Sequence, residues 1–134
     1  MRRLKRYEEF EDESGRRVRY RRLDDGGVVA LDADVAESAR LGEDTWVDPG
    51  ARVLARARLG TACWVEPGAV IGEDAHLGAG VHVGRDAVVG RRAWLGDRTD
   101  VGARARVDHD VTLDPDTRVP DDVHVGASAR RSAA

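Results

Sequence analysis

From Val29 to Val125 a branched aliphatic residue stands at every sixth position without a break: Val29, Val35, Leu41, Val47, Val53, Leu59, Val65, Ile71, Leu77, Val83, Val89, Leu95, Val101, Val107, Leu113, Val119 and Val125. Four residues after each comes a small or β-branched residue, such as Ala33, Thr45, Ala57, Cys63, Ala69 or Val81. The position just after the aliphatic is often glycine, as at Gly42, Gly60, Gly72, Gly84 and Gly96. A helix would spread residues of this period around its whole surface, and a long strand repeats every second residue. A short strand followed by a tight turn fits. The small residue and the aliphatic two positions later point inward, the residue between them points outward, and the glycine-containing remainder bends the chain.

A longer echo sets the size of the coil. Thr45-Trp46-Val47-Asp48-Pro49-Gly50-Ala51 returns as Cys63-Trp64-Val65-Glu66-Pro67-Gly68-Ala69, and every third aliphatic is leucine, at Leu41, Leu59, Leu77, Leu95 and Leu113. Three hexads therefore close one triangular coil, and equivalent residues stack eighteen apart. The expected fold class is all-β: a parallel β-helix of about six triangular coils over residues 29–130, roughly 27 Å tall at the usual rung spacing. Its two ends are sheet edges that need covering. Residues 1–28 supply one cover, because Tyr7-Glu8-Glu9-Phe10-Glu11 and Arg17-Val18-Arg19-Tyr20-Arg21 flank the turn-forming Glu13-Ser14-Gly15 and predict a β-hairpin cap. Leu4, Tyr7 and Phe10 also fall at helical spacing. At the other end Pro120, Asp121, Asp122 and the polar tail 131–134 discourage further pairing.

With 25 acidic against 22 basic residues and a net charge of −3, no global positive field draws nucleic acid or an anionic membrane. Cys63 is the only cysteine, which excludes an intrachain disulfide and a thiolate-rich zinc site and suits a reducing compartment. No apolar run approaches the ~20 residues of a membrane span, and the basic start lacks the apolar core of a signal peptide. The expected location is cytoplasmic.

The hexads from Leu41-Gly42-Glu43-Asp44-Thr45-Trp46 through Val89-Gly90-Arg91-Arg92-Ala93-Trp94 resemble those of the hexapeptide-repeat, left-handed β-helix acyltransferase superfamily. The resemblance implies left-handed coils, whereas parallel crossovers in general are right-handed. It also implies a trimer, an acyl-CoA co-substrate held in a cleft between subunits, and a histidine acting as general base on a small amine or hydroxyl acceptor. The γ-class carbonic anhydrases share this fold and hold zinc with histidines, two of them five residues apart. Here His76 and His82 are six apart and fall on different faces, so no metal is expected.

The outward residues can be read by face. One column is Trp46, Trp64, His82, Asp100, Arg118; the second is Arg40, Arg58, His76, Trp94, Thr112, Arg130; the third is Asp34, Arg52, Val70, Val88, Arg106, His124. In the first, His82 and Asp100 lie on adjacent rungs, so the carboxylate can accept a ring proton and leave the other nitrogen as a base. Trp64 stacks on the opposite side and walls a cleft for the acyl-CoA. The expected catalytic pair is thus His82 and Asp100, with Trp64 on the co-substrate and a neighbouring subunit completing the site. His109, in Val107-Asp108-His109-Asp110-Val111, is the second candidate base, although a solvated turn explains it. His76 beside Trp94 reads as a stacked surface pair, and His124, beside Arg106, has no neighbouring carboxylate in its column. The outward strip Val70–Val88 is either a trimer contact or the bed for residues 1–23. The hexads carry no insertion, which favours an alternative function: a non-catalytic oligomeric binding or assembly module.

Overall fold

The computed structural model describes residues 7–11, 14–126 and 130–131. The helical alternative through Leu4, the turn residue Glu13 and the tail after Arg131 lie outside the described residues. Strand β1 (Tyr7–Glu11) pairs antiparallel with β2 (Arg17–Arg22), and β2 pairs antiparallel with β3 (Val28–Ala30). From Asp34 to Val125 every strand is two residues long, one outward and one inward. These strands stack in parallel with an exact offset of eighteen, so Trp46, Trp64, His82, Asp100 and Arg118 form one column and Val47, Val65, Val83, Val101 and Val119 line it from inside. The other two columns are likewise those predicted from the sequence. The result is a three-sided β-solenoid, its first sheet lengthened by the hairpin.

The interior is a narrow shaft filled by side chains. Val47, Val53, Val65, Ile71, Val83, Val89, Leu95 and Val101 are fully buried, alternating with Ala51, Ala57, Ala69 and Ala87. Three walls converge on a narrow axis, so each hexad has room for one large and one small side chain.

The bend lies in the glycine-containing remainder of the hexad, at its third residue rather than at the glycine next to the aliphatic. From Leu41 to Val119 the residue three beyond each aliphatic takes the left-handed conformation, whether it is a glycine such as Gly50, Gly68 or Gly80, an aspartate or arginine such as Asp44, Arg56, Asp74 or Arg92, or Ala62. Asp48-Pro49-Gly50-Ala51 shows the logic: proline sets the second turn position, Gly50 at φ 75° the third, and the Ala51 N–H donates to the Asp48 carbonyl at 3.2 Å. Glycines such as Gly84 instead permit close stacking, since a Cβ there would lie 2.7 Å from the Ala103 nitrogen of the next coil. Arginine gains nothing intrinsically from a positive φ. Ala62 takes the same φ, so the corner is set by the coil; at four corners the arginine adds forked ion pairs to the next rung, Arg56–Asp74, Arg92–Asp110, Arg98–Asp116 and Arg104–Asp122.

The cap has two parts. Strand β2 covers the edge of β3, and Tyr20 from β2 joins Val28 and Ala30 in a small cluster on the outer side of the first sheet, against Trp46. Leu23 packs onto the end of the shaft, and the Asp25 carboxylate accepts from the backbone N–H groups of Gly27 and Leu41. Strands β1 and β2 therefore extend the first sheet. Val70 and Val88 lie in a different sheet, which removes the reading of that strip as their bed.

Candidate functional site

The echo that sets the coil also builds the site. His82 sits between Trp64 and Asp100 in the first sheet, as the column predicts. Its ring stacks on Trp64 with centroids 4.8 Å apart and planes 30° from parallel, and its Nδ1 is 2.9 Å from Asp100 Oδ1. The structure adds a residue that the column does not contain: Glu66, whose carboxylate is bonded to His82 Nε2. Glu66 follows the aliphatic on the preceding rung, sixteen residues back. The same diagonal joins Asp48 Oδ2 to the Trp64 indole N–H at 2.8 Å and Asp108 to His124 Nε2 at 2.7 Å. His124 therefore has a carboxylate after all, at the corner below it rather than in its own column.

Both ring nitrogens of His82 face carboxylates, and a nitrogen can bond an ionised carboxylate only by donating. The imidazolium is the form this geometry favours. Burial, the largest single influence, pulls the pKa of His82 down; hydrogen bonds and charge from Glu66 and Asp100 together outweigh it and leave the pKa above the ordinary histidine value. The resulting stabilisation is fully present below the unfolded value, about 6.5, and is lost as pH rises through the raised folded value. The nitrogen expected to act as a free base thus faces a carboxylate, and the two carboxylates together favour the protonated ring.

Asp48 fixes the surroundings. This buried carboxylate accepts from the Tyr20 hydroxyl of the hairpin at 2.8 Å and from the Trp64 indole, tying cap, rung and stacked pair together. A cleft of ≈ 510 Å³ opens between the hairpin and the corner, with Arg16, Val18, Trp64, Glu66, Pro67 and Arg85 on its walls. It is formed within one chain. Arg85 is exposed and its side chain has no hydrogen-bond or ion-pair partner among the described residues.

The remaining histidines are elsewhere. His109 Nδ1 accepts from the Arg91 backbone N–H at 2.9 Å, which leaves the neutral ring's proton on Nε2 and no lone pair there for a base. His76 stacks on Trp94 at 3.9 Å with planes 3° apart, in a different sheet from His82. Among the described residues no group of three or more His, Cys, Asp or Glu is arranged to hold a metal ion, and no helix is long and apolar enough to cross a membrane.

No family model matches the sequence, and neither does any curated protein. Solved structures do. A variant of perosamine N-acetyltransferase from Caulobacter crescentus, in complex with CoA and GDP-perosamine, is 30% identical with a TM-score of 0.77, over 80% of this chain and 50% of that one. Serine acetyltransferase from Neisseria gonorrhoeae (21% identity, TM-score 0.58, 64% of this chain and 36% of that one) shares the fold. So does a hexapeptide-repeat-containing acetyltransferase from Vibrio cholerae (16%, TM-score 0.53, 74% and 68%). The chain spans half the length of the perosamine enzyme. With its unbroken hexads, its three parallel sheets and these structural relatives, the chain belongs to the hexapeptide-repeat, left-handed β-helix acyltransferase superfamily.

Proposed function

We propose that the protein transfers an acyl group from acyl-CoA to a small amine or hydroxyl acceptor, with His82 handling the acceptor's proton. The observation that carries this reading is the Glu66–His82–Asp100 relay, which stands beside a cleft lined by Glu66 and Trp64. Acyl-CoA supplies the activated acyl group. The cleft suits it in kind: Val18, Trp64, Pro49 and Pro67 offer apolar surface for its arm, and Arg85 offers an unpaired cation for a phosphate. The acceptor displaces Glu66 from His82 Nε2. Without that carboxylate the imidazolium gives its Nε2 proton to solvent; the neutral ring then takes the acceptor's proton as the acceptor bonds to the acyl carbon, and passes it to the CoA thiolate as the carbon–sulfur bond breaks, while Asp100 holds Nδ1–H. The working unit in this reading is a homotrimer.

Thiol release from acetyl-CoA, measured across a panel of amines and alcohols, tests the proposal. The rate should climb with pH through the raised His82 pKa, and Glu66→Gln should shift that climb to lower pH. His82→Gln should cost about 10²–10⁴-fold. A His82→Gln enzyme that keeps the wild-type rate sinks the assignment. One observation favours the alternative of a non-catalytic binding or assembly module: both ring nitrogens of His82 are already bonded within the chain. That reading predicts no thiol release with any acceptor.

A further inference from the structure

The chain has three tryptophans, two tyrosines and one phenylalanine. Three of these rings, Tyr20, Trp46 and Trp64, line a single open recess of ≈ 470 Å³, together with the carboxylates of Asp44 and Asp48. Trp46 meets Tyr20 edge-on, with centroids 5.1 Å apart, on the hairpin side. Trp64 stacks on His82 on the opposite side. The two indoles occupy adjacent rungs but engage partners in opposite directions, and the recess opens between them.

Among the described residues that line the recess, the charged side chains, Asp44 and Asp48, are both acidic. Asp48 is buried and both its oxygens accept hydrogen bonds, which is the pattern of an ionised carboxylate. Its donors, a phenol and an indole, are neutral and leave its charge in place. Asp44 stands at the rim, where Arg22 approaches to 3.7 Å; the Asp44 side chain is 73% exposed, so this contact is weak. Aromatic faces carry partial negative charge and attract cations, most strongly when indole is the ring and the cation is poorly hydrated.

We infer that the recess is a binding site for a small alkylated ammonium cation, held between Trp46 and Trp64 over Asp48. A diffuse, weakly hydrated charge gains from three rings and a carboxylate at once, whereas an anion is repelled. The inference does not rest on the acyl-transfer reading.

Choline chloride is the probe, titrated by tryptophan fluorescence and by the NMR shift of the Trp64 indole N–H at constant ionic strength. Its neutral isostere, with a tert-butyl group in place of the trimethylammonium, is the comparison. Choline should saturate the site, and the isostere should bind at least about tenfold more weakly. Trp46→Leu and Trp64→Leu, each verified as folded by circular dichroism, should each lose at least about tenfold in choline affinity. Equal binding of choline and isostere, failure of choline to saturate, or wild-type affinity in both folded variants overturns the inference.

Discussion

Gly84→Ala should lower the free energy of unfolding by about 3 kcal/mol, measured by denaturant titration. The new methyl group would lie 2.7 Å from the Ala103 nitrogen and from the Gly102 carbonyl carbon. Both are backbone atoms of the next coil, so no flexible side chain can yield. The Gly84 N–H also donates to the Val101 carbonyl at 2.7 Å, and relieving the clash means parting a rung that this bond closes. Gly126→Ala is the matched control, with nothing among the described residues within 4 Å of its would-be Cβ, and should change stability by no more than about 0.5 kcal/mol. Equal stability of Gly84→Ala and wild type would contradict the tight stacking on which the fold depends.

Leu77→Ala should cost about 3–5 kcal/mol in the same measurement. Leu77 is 1% exposed and sits between Leu59 and Leu95 at the middle of the leucine column. The walls around it are pinned to the rungs above and below by backbone hydrogen bonds, so they cannot collapse into the space left behind. Coil-to-coil contacts make such a loss cooperative along the stack. A cost below 1 kcal/mol would mean that the shaft relaxes, against the packing described.

The shaft and the columns were legible because a single offset, eighteen, fixes every neighbour in a parallel stack. Once Leu41, Leu59 and Leu77 set the coil, His82 had to stand between Trp64 and Asp100. Glu66 was not legible by that rule. Its side chain reaches His82 diagonally from the corner of the rung below, and a column contains only residues that share a strand position. A signal was nevertheless present in the echo itself, where Asp48 and Glu66 occupy the corner position that Gly84 and Gly102 hold in later coils. An acid replacing the stacking glycine, just where a tryptophan or histidine follows sixteen residues on, marks the diagonal pair. Which residue of the glycine-containing remainder turns the chain was not legible for a related reason. The residue that takes positive φ is more often aspartate or arginine than glycine. The opposite charges of Arg56 and Asp74, eighteen apart, were the clue to that corner. The hand of the helix rests on the superfamily, since period and polarity are the same for either hand.

The relay around His82 is the centre of the functional account, and an NMR titration of the His82 imidazole tests it most directly. In the wild type the ring should titrate above the ordinary histidine value of about 6.5, because Glu66 and Asp100 stabilise its cation. In Glu66→Gln the pKa should fall measurably, since one of the two carboxylates has lost its charge. A wild-type His82 that titrates at or below the ordinary value, or one whose pKa does not move in Glu66→Gln, would contradict the account.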